Sequence, residues 1–200
     1  MNSLEKRILD ISYRKKLAHI GSSLCAVNII DHIYSIKKPD EKFVLSQGHA
    51  GLSLYVVLEK YGFGDAEKFF EKSGVHATRM EHINCSTGSL GHGLPVALGM
   101  ALADRTKRVF CLVSDGECME GSIWETLRLI EETKATNLHV FFNINGWGGY
   151  KAINTHSLYS KLNAYHVKKT IVFTQIPQMP GLEAHYVVLD RKTYEKLIRN

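Results

Sequence analysis

Apolar residues recur at helical spacing from the first turn: Leu4, Ile8, Ile11 and Leu17 share one face of residues 4–17. That spacing predicts an amphipathic helix capped by Ser3. Its polar face carries Glu5, Lys6, Arg7, Asp10 and Arg14. A loop is expected over 19–23, then a second helix over 27–36. This helix should end before Lys37 to Pro39, because the residue ahead of a proline resists helical geometry. Residues 43–45 read as a short strand running into Ser46–Gln47–Gly48–His49, and helices are expected over 50–61 and 65–71. The pattern then fails. Residues 73–93 are polar and glycine-punctuated with no period, and a connection that long inside a compact domain is usually functional.

Periodicity returns at 95–105 as a helix, followed by a strand at 108–113, a helix at 122–133 and a strand at 138–142. Strand, helix and strand in this order form a βαβ unit whose right-handed crossover sets both strands parallel in one sheet. One more strand is expected at 170–173, then a turn over 177–181 and a last helix from about 192. The chain reads as a single α/β domain over 1–200, three layers deep. A mostly parallel sheet is covered by helices on both faces, and ligands lie beyond the carboxyl ends of its strands.

Charge and cysteine usage narrow the function classes. The formal net charge of +5 is scattered, with small clusters at Lys15–Lys16, Lys168–Lys169 and Arg191–Lys192, unlike the basic face of a nucleic-acid binder. The longest apolar runs fall far short of the ~20 residues of a membrane-spanning helix. The charged N-terminal stretch differs from an export signal, and Cys25, Cys85, Cys111 and Cys118 show no CxxC spacing. These features predict a cytoplasmic protein with structural, reduced cysteines and neither nucleic-acid nor membrane partners.

The chemistry concentrates at two strand ends. Asp115–Gly116 closes one strand and Asn145–Gly146 follows its neighbour, so the crossover brings a carboxylate and an amide oxygen to the same sheet edge. Oxygen donors beside glycine-relaxed backbone suit a hard divalent cation such as Mg²⁺, which shares its coordination with phosphates. A Mg²⁺-diphosphate site is expected there.

The segment Ser114–Asp115–Gly116–Glu117–Cys118–Met119–Glu120–Gly121, with Trp124–Glu125 and then Phe142–Asn143–Ile144–Asn145–Gly146, resembles the thiamine-diphosphate motif of the transketolase family. The resemblance implies thiamine diphosphate with Mg²⁺, Ca²⁺ or Mn²⁺ able to substitute, and metal ligation by Asp115, Asn145 and the main-chain carbonyl of Trp147. His19 to Leu24 and Phe43 to Ala50 resemble the family's two substrate-loop histidine motifs, which implies catalytic roles for His19 and His49, with His49 also at the cofactor. Gly88–Ser89–Leu90–Gly91–His92–Gly93 resembles the loop flanking the cofactor rings, with Gly88, Ser89 and Leu90 as contacts. His76 lies where a further substrate histidine is expected. Gly116 and Glu117 are implied beside the cofactor, and by position His185 matches a late histidine near the diphosphate. The motifs cover about residues 5–150 well, and a shortened C-terminal part follows from about 150.

Imidazoles near neutral pKa can donate to a developing alkoxide and relay protons without a permanent charge. The hard step would belong to the cofactor. His32, His139, His156 and His166 match no motif and read as ordinary surface or packing residues. His92 stands where the family usually has glutamine, Ser114 where it usually has glycine, and Asn143–Ile144 where transketolases commonly carry acidic residues. Glu120 matches a glutamate that joins a hydrogen-bond network across the family's dimer interface.

No pyrimidine-binding domain accompanies these motifs. The expectation is therefore a transketolase N-terminal-type subunit moving a two-carbon ketol unit between sugar phosphates together with a separate pyrimidine-binding subunit. It would form a heterotetramer or a homodimer of this chain. Two alternatives stand beside it: a 1-deoxyxylulose-5-phosphate synthase-like subunit, since residues 19–24 also resemble that loop, and a non-catalytic cofactor-binding or interaction module.

Overall fold

Four strands, β1 (Lys42–Leu45), β2 (Val109–Ser114), β3 (Leu138–Ile144) and β4 (Lys169–Phe173), pair in chain order and all in parallel. They belong to a computed structural model of the chain that describes residues 1–176, 179 and 181–199. Alternation along each strand divides the core into two layers. Phe43, Leu45, Phe110, Leu112 and Phe141 face α1 (Ser3–Lys15), α2 (Ile20–Ile36) and α3 (Gly51–Lys60). Val44, Val109, Cys111, Val113, Val140 and Phe142 face α5 (Gly93–Ala103), α6 (Gly121–Thr133) and α7 (Thr155–Asn163). Every residue of β2 is buried, as expected of a strand covered on both faces, and its sequence is accordingly a continuous apolar run.

Several boundaries differ from those the sequence predicts. Asn2, not Ser3, caps α1: its side chain accepts from Glu5 N–H while the Glu5 carboxylate accepts from Asn2 N–H, a complete capping box. Lys16 turns left-handed after Lys15, so Leu17 lies outside the helix. The expected loop at 19–23 is instead the first turn of α2, which starts at Ile20. Gly21, Ser22 and Ser23 resemble loop residues in composition, yet all three are buried, and their small size admits the C-terminal helix α8 (Glu183–Tyr186) against that turn.

Asp65 caps α4 (Ala66–Ser73) through a bond from Lys68 N–H. Helix α7 has no counterpart among the elements the sequence pattern predicts, although Asn154 marks its start by accepting from Ser157 N–H. The turn expected at 177–181 falls largely on residues outside those described. The last helix, α9 (Arg191–Arg199), packs Leu197 with Leu9, Ile20 and Leu189 in a third, smaller cluster. Tyr194 stacks on Tyr13 at a centroid separation of 4.3 Å. The tail is thereby fastened to α1.

The aperiodic segment 74–92 runs along the outer edge of β1. Asn84 Oδ1 accepts from Phe43 N–H at 3.0 Å and Thr87 Oγ1 donates to Leu45 O at 2.7 Å, so the polar groups of that edge find partners. Among the described residues no helix is long and apolar enough to cross a membrane. Cys25, Cys111 and Cys118 are buried, Cys85 is partly buried, and all four are free thiols.

Gly48 opens a 3₁₀ turn, Gly48–Ala50, directly after β1. A Cβ there would stand 2.4 Å from the Thr87 carbonyl, so the loop can lie against the turn only if residue 48 lacks a side chain. Gly48→Ala should lower stability by about 1–3 kcal/mol, read as a shift in the urea midpoint. An unshifted midpoint would show that this approach can relax freely.

Candidate active site

The carboxyl ends of β2 and β3 lie side by side, with Ser114 opposite Asn143 in the parallel register. The next residue, Asp115, is 1% exposed and reaches across. Its Oδ2 accepts from Asn145 N–H at 2.9 Å and Gly146 N–H at 2.7 Å, and its Oδ1 from Gly116 N–H at 3.0 Å. Asn145 Oδ1 in turn accepts from Trp147 N–H at 2.8 Å. The two strand tips predicted to meet do meet.

Among the described residues no basic side chain bonds Asp115. Burial pushes its carboxyl up from the ordinary 3.8 to about 6, against the opposing pull of main-chain donors, Gly146 first among them. A buried carboxylate held by neutral dipoles is unfavourable unless a cation joins it. Three of its roughly four acceptor positions are occupied, which leaves room for one metal bond. Among the described residues no cluster of three or more His, Cys, Asp or Glu side chains could hold a metal. A carboxylate and an amide oxygen at adjacent strand tips form an incomplete, all-oxygen set of the kind Mg²⁺ completes with water and phosphate oxygens. The donors therefore fit that ion.

Glu117 has a different place from the cofactor contact that the resemblance implies. It is fully buried, and its Oε1 accepts from Ser46 Oγ at 2.6 Å and Gly91 N–H at 3.1 Å, while Oε2 accepts from Ser114 N–H at 3.1 Å. One carboxylate thus ties the end of β1, the 74–92 loop and the end of β2 together. It braces the site from behind.

Three imidazoles converge above this floor. The ring centroids of His19 and His49 are 5.8 Å apart, those of His19 and His185 5.9 Å, and those of His49 and His185 6.4 Å. Burial, then the neighbouring imidazoles, lowers His49 to about 4, and burial first also lowers His19 and His185. All three are neutral at pH 7. His19 is left-handed at φ 59° and its N–H donates to His185 O at 2.9 Å. A non-glycine residue in that region stores strain that the surroundings must hold.

Residues of the C-terminal segment reach the site. Tyr186 Oη donates to Gly149 O, and Gly181 lies against the Trp147 ring.

A cleft of about 240 Å³ results, lined by His19, His49, Gly88, Leu90, Asn145 and His185, with Ser114 and Gly116 in its floor. Trp147 lines an adjoining cavity of about 290 Å³ that shares Asn145 and His185. His76 and Ser89 lie outside the cleft, on an open rim with His92. The His76 ring covers Gly88, so close that a Cβ on Gly88 would stand 3.1 Å from it. Ser22, Gln47 and Asn143 also line the cleft, and sequence reasoning assigns none of them a role there. For Gln47 the available signal is its place inside the Ser46–His49 motif. Glu120 is exposed.

Two stability measurements test this geometry. Glu117→Ala strands three donors and should cost about 3 kcal/mol or more in urea unfolding; a loss below about 1 kcal/mol would remove the brace. Asp115 titrates at a higher pH folded than unfolded, so the folded chain holds the extra proton between 3.8 and about 6. Stability attributable to Asp115 must fall as pH rises through that window, by on the order of 3 kcal/mol in cation-free protein. The difference in unfolding free energy between the unsubstituted chain and Asp115→Asn should follow this fall. A pH-independent difference would contradict it.

Comparison with known proteins gives the same family from independent directions. The profile of a family described as "Transketolase, thiamine diphosphate binding domain" matches residues 18–175. An apulose-4-phosphate transketolase subunit of Phocaeicola vulgatus is 35% identical over 161 residues, covering 70% of this chain and 57% of that protein. Human transketolase is 36% identical over 121 residues, 54% of this chain and 19% of the human one. The transketolase structure from Campylobacter jejuni superposes with a TM-score of 0.65 at 17% identity, covering 98% of this chain and 43% of that one, which shows a shared fold. The Leishmania mexicana enzyme gives 0.64 at 20% identity, over 87% and 37%. The chain thus spans a little over half of the Phocaeicola relative and about one-fifth of the human enzyme. With its parallel strand tips, buried aspartate and histidine cluster, the chain belongs to the transketolase family, in which it carries the thiamine diphosphate binding domain.

Proposed function

We propose that this chain is the N-terminal-type subunit of a cytoplasmic two-part transketolase, transferring a two-carbon ketol unit between sugar phosphates. The observation that carries the reading is the meeting of Asp115 and Asn145 at adjacent strand tips beneath three neutral histidines. Asp115, Asn145 and the Trp147 carbonyl would hold Mg²⁺, and the metal with Gly116 and the backbone nearby would hold the diphosphate. Thiamine diphosphate, when bound, would supply a nucleophilic carbon and a ring able to hold an electron pair, the chemistry that carbon–carbon bond transfer needs.

The protein's own part is orientation and proton handling. His19 and His49, uncharged at neutral pH, can each donate or accept at a substrate oxygen, so either can give a proton to an alkoxide formed from a carbonyl and take one back from the hydroxyl that becomes a carbonyl when the carbon–carbon bond breaks. His185 stands against both rings and restricts their orientation. His76, on the rim above Gly88, is placed to meet a substrate as it enters. Leu90 and Gly88 offer the apolar and flat surface that a heteroaromatic ring requires, with Ser89 at their outer side.

This reading calls for a second half to the site. The Phocaeicola relative is itself named as one subunit of an enzyme, which supports a separate partner chain. We place a pyrimidine-binding subunit there, in a heterotetramer with two copies of each chain or around a homodimer of this one. The exposed Glu120 and Leu90 lie beside the cleft, where such a partner would cover them.

The test is reconstitution. This chain, mixed with its cognate pyrimidine-binding subunit, thiamine diphosphate and Mg²⁺, should transfer ketol units from a ketose phosphate to an aldose phosphate, and neither protein should be active by itself. No transfer with any ketose–aldose pair would refute the proposal. Condensation of pyruvate with glyceraldehyde phosphate would select the 1-deoxyxylulose-5-phosphate synthase type instead.

A further inference from the structure

Buried polar side-chain atoms are almost always hydrogen-bonded, and the exceptions ask for an explanation. Among the described residues three such atoms lack a partner: His19 Nδ1, Gln47 Nε2 and Ser73 Oγ. Ser73 ends α4. The other two belong to residues that line the same cleft. That two of the three exceptions belong to residues lining one cavity points to a polar guest there.

Gln47 is the more constrained of the pair. It is 1% exposed and sits between two anchored neighbours. On one side Ser46 donates through its N–H to Leu112 O at 2.9 Å and through its Oγ to Glu117 at 2.6 Å. On the other, Gly48 lies against the Thr87 backbone, and Gln47 O accepts from Ala50 N–H at 2.9 Å. The main chain therefore cannot swing the amide out to water. The carboxamide nitrogen is a donor only, so the missing partner must bring an acceptor, and oxygens are the acceptors that diphosphates and sugars present.

We propose that Gln47 is a ligand-binding residue, whose Nε2 donates a hydrogen bond to an oxygen of the molecule held between His19, His49 and Asn145. The assignment rests on the transketolase reading for the identity of that molecule, and two of its parts present such oxygens: the cofactor diphosphate, and the hydroxyls or carbonyl of a sugar phosphate. His19 Nδ1, unmatched in the same cavity, is the natural second contact. Because the amide is already buried and its main chain anchored, little further desolvation is needed when the ligand arrives.

Gln47→Met keeps the length and removes the amide, and it separates a ligand-binding from a structural role. An amide that supports the fold loses stability on this change. An amide waiting for a ligand does the reverse: the ligand-free chain should melt about 3 °C higher, since an unmatched buried donor is gone.

Calorimetric titrations of the full chain and of Gln47→Met, both in Mg²⁺, with thiamine diphosphate, inorganic pyrophosphate and fructose 6-phosphate then identify the oxygen. A loss of about ten-fold in affinity, equivalent to ~1.4 kcal/mol, for thiamine diphosphate and pyrophosphate together assigns the contact to the diphosphate. The same loss confined to fructose 6-phosphate assigns it to the sugar. If the unsubstituted chain binds pyrophosphate or fructose 6-phosphate but not thiamine diphosphate, the cofactor reading fails while a weaker Gln47→Met complex still upholds Gln47. Unchanged affinities for all three ligands, or no binding of any of them by the unsubstituted chain, overturn the assignment.

Discussion

The structure turns on one carboxylate that crosses between two strands. Asp115 leaves the end of β2 and accepts the main-chain N–H groups of Asn145 and Gly146 beyond β3, fixing the separation of the two tips and the direction in which Asn145 points. It does so without a basic partner among its bonds and almost out of reach of water. The cation-free fold therefore carries an unfavourable charge at the place where a metal and a diphosphate would relieve it. Stability is given up at this point, and a bound cation would restore it.

Around that centre the chain distributes support unevenly. Glu117 gathers three segments from behind, the 74–92 loop seals the β1 edge, and the short C-terminal tail returns to bring His185 against His19. These contacts come from parts of the sequence far apart: the turn after β1 carries His49, while His19 at the start of α2 and His185 in α8 hold each other. The outer side of the cleft has no comparable wall. Leu90, which lines the cleft, is 38% exposed, and the rim carrying His76 and Ser89 is open.

The centre is legible in the sequence because strand tips are fixed by topology: a continuous apolar strand, a helix and another strand leave little choice about where Asp115 and Asn145 arrive. The sequence misleads at 19–23, where Gly21, Ser22 and Ser23 have the composition of a loop but serve as the tightly packed first turn of α2. Their partner, Ala184 of the tail, lies far away in the chain, and no local pattern announces it. Glu117 is misplaced by its sequence for a similar reason, since adjacency to Asp115 in the chain suggests adjacency to the cofactor, whereas the 3₁₀ turn after Gly116 rotates its side chain inward. Gln47 stands in plain view beside His49, but a missing hydrogen bond is a property of three dimensions only. The C-terminal segment carries α7 and β4 and reaches the site.

The central claim is that Asp115 and Asn145 jointly coordinate a divalent ion shared with a diphosphate. Anomalous diffraction from crystals of the chain grown with Mn²⁺ and thiamine diphosphate measures this directly. The account predicts a single strong peak within bonding distance of Asp115 Oδ and Asn145 Oδ1, next to the phosphorus atoms. A bound cofactor whose manganese peak lies away from both oxygens would contradict it.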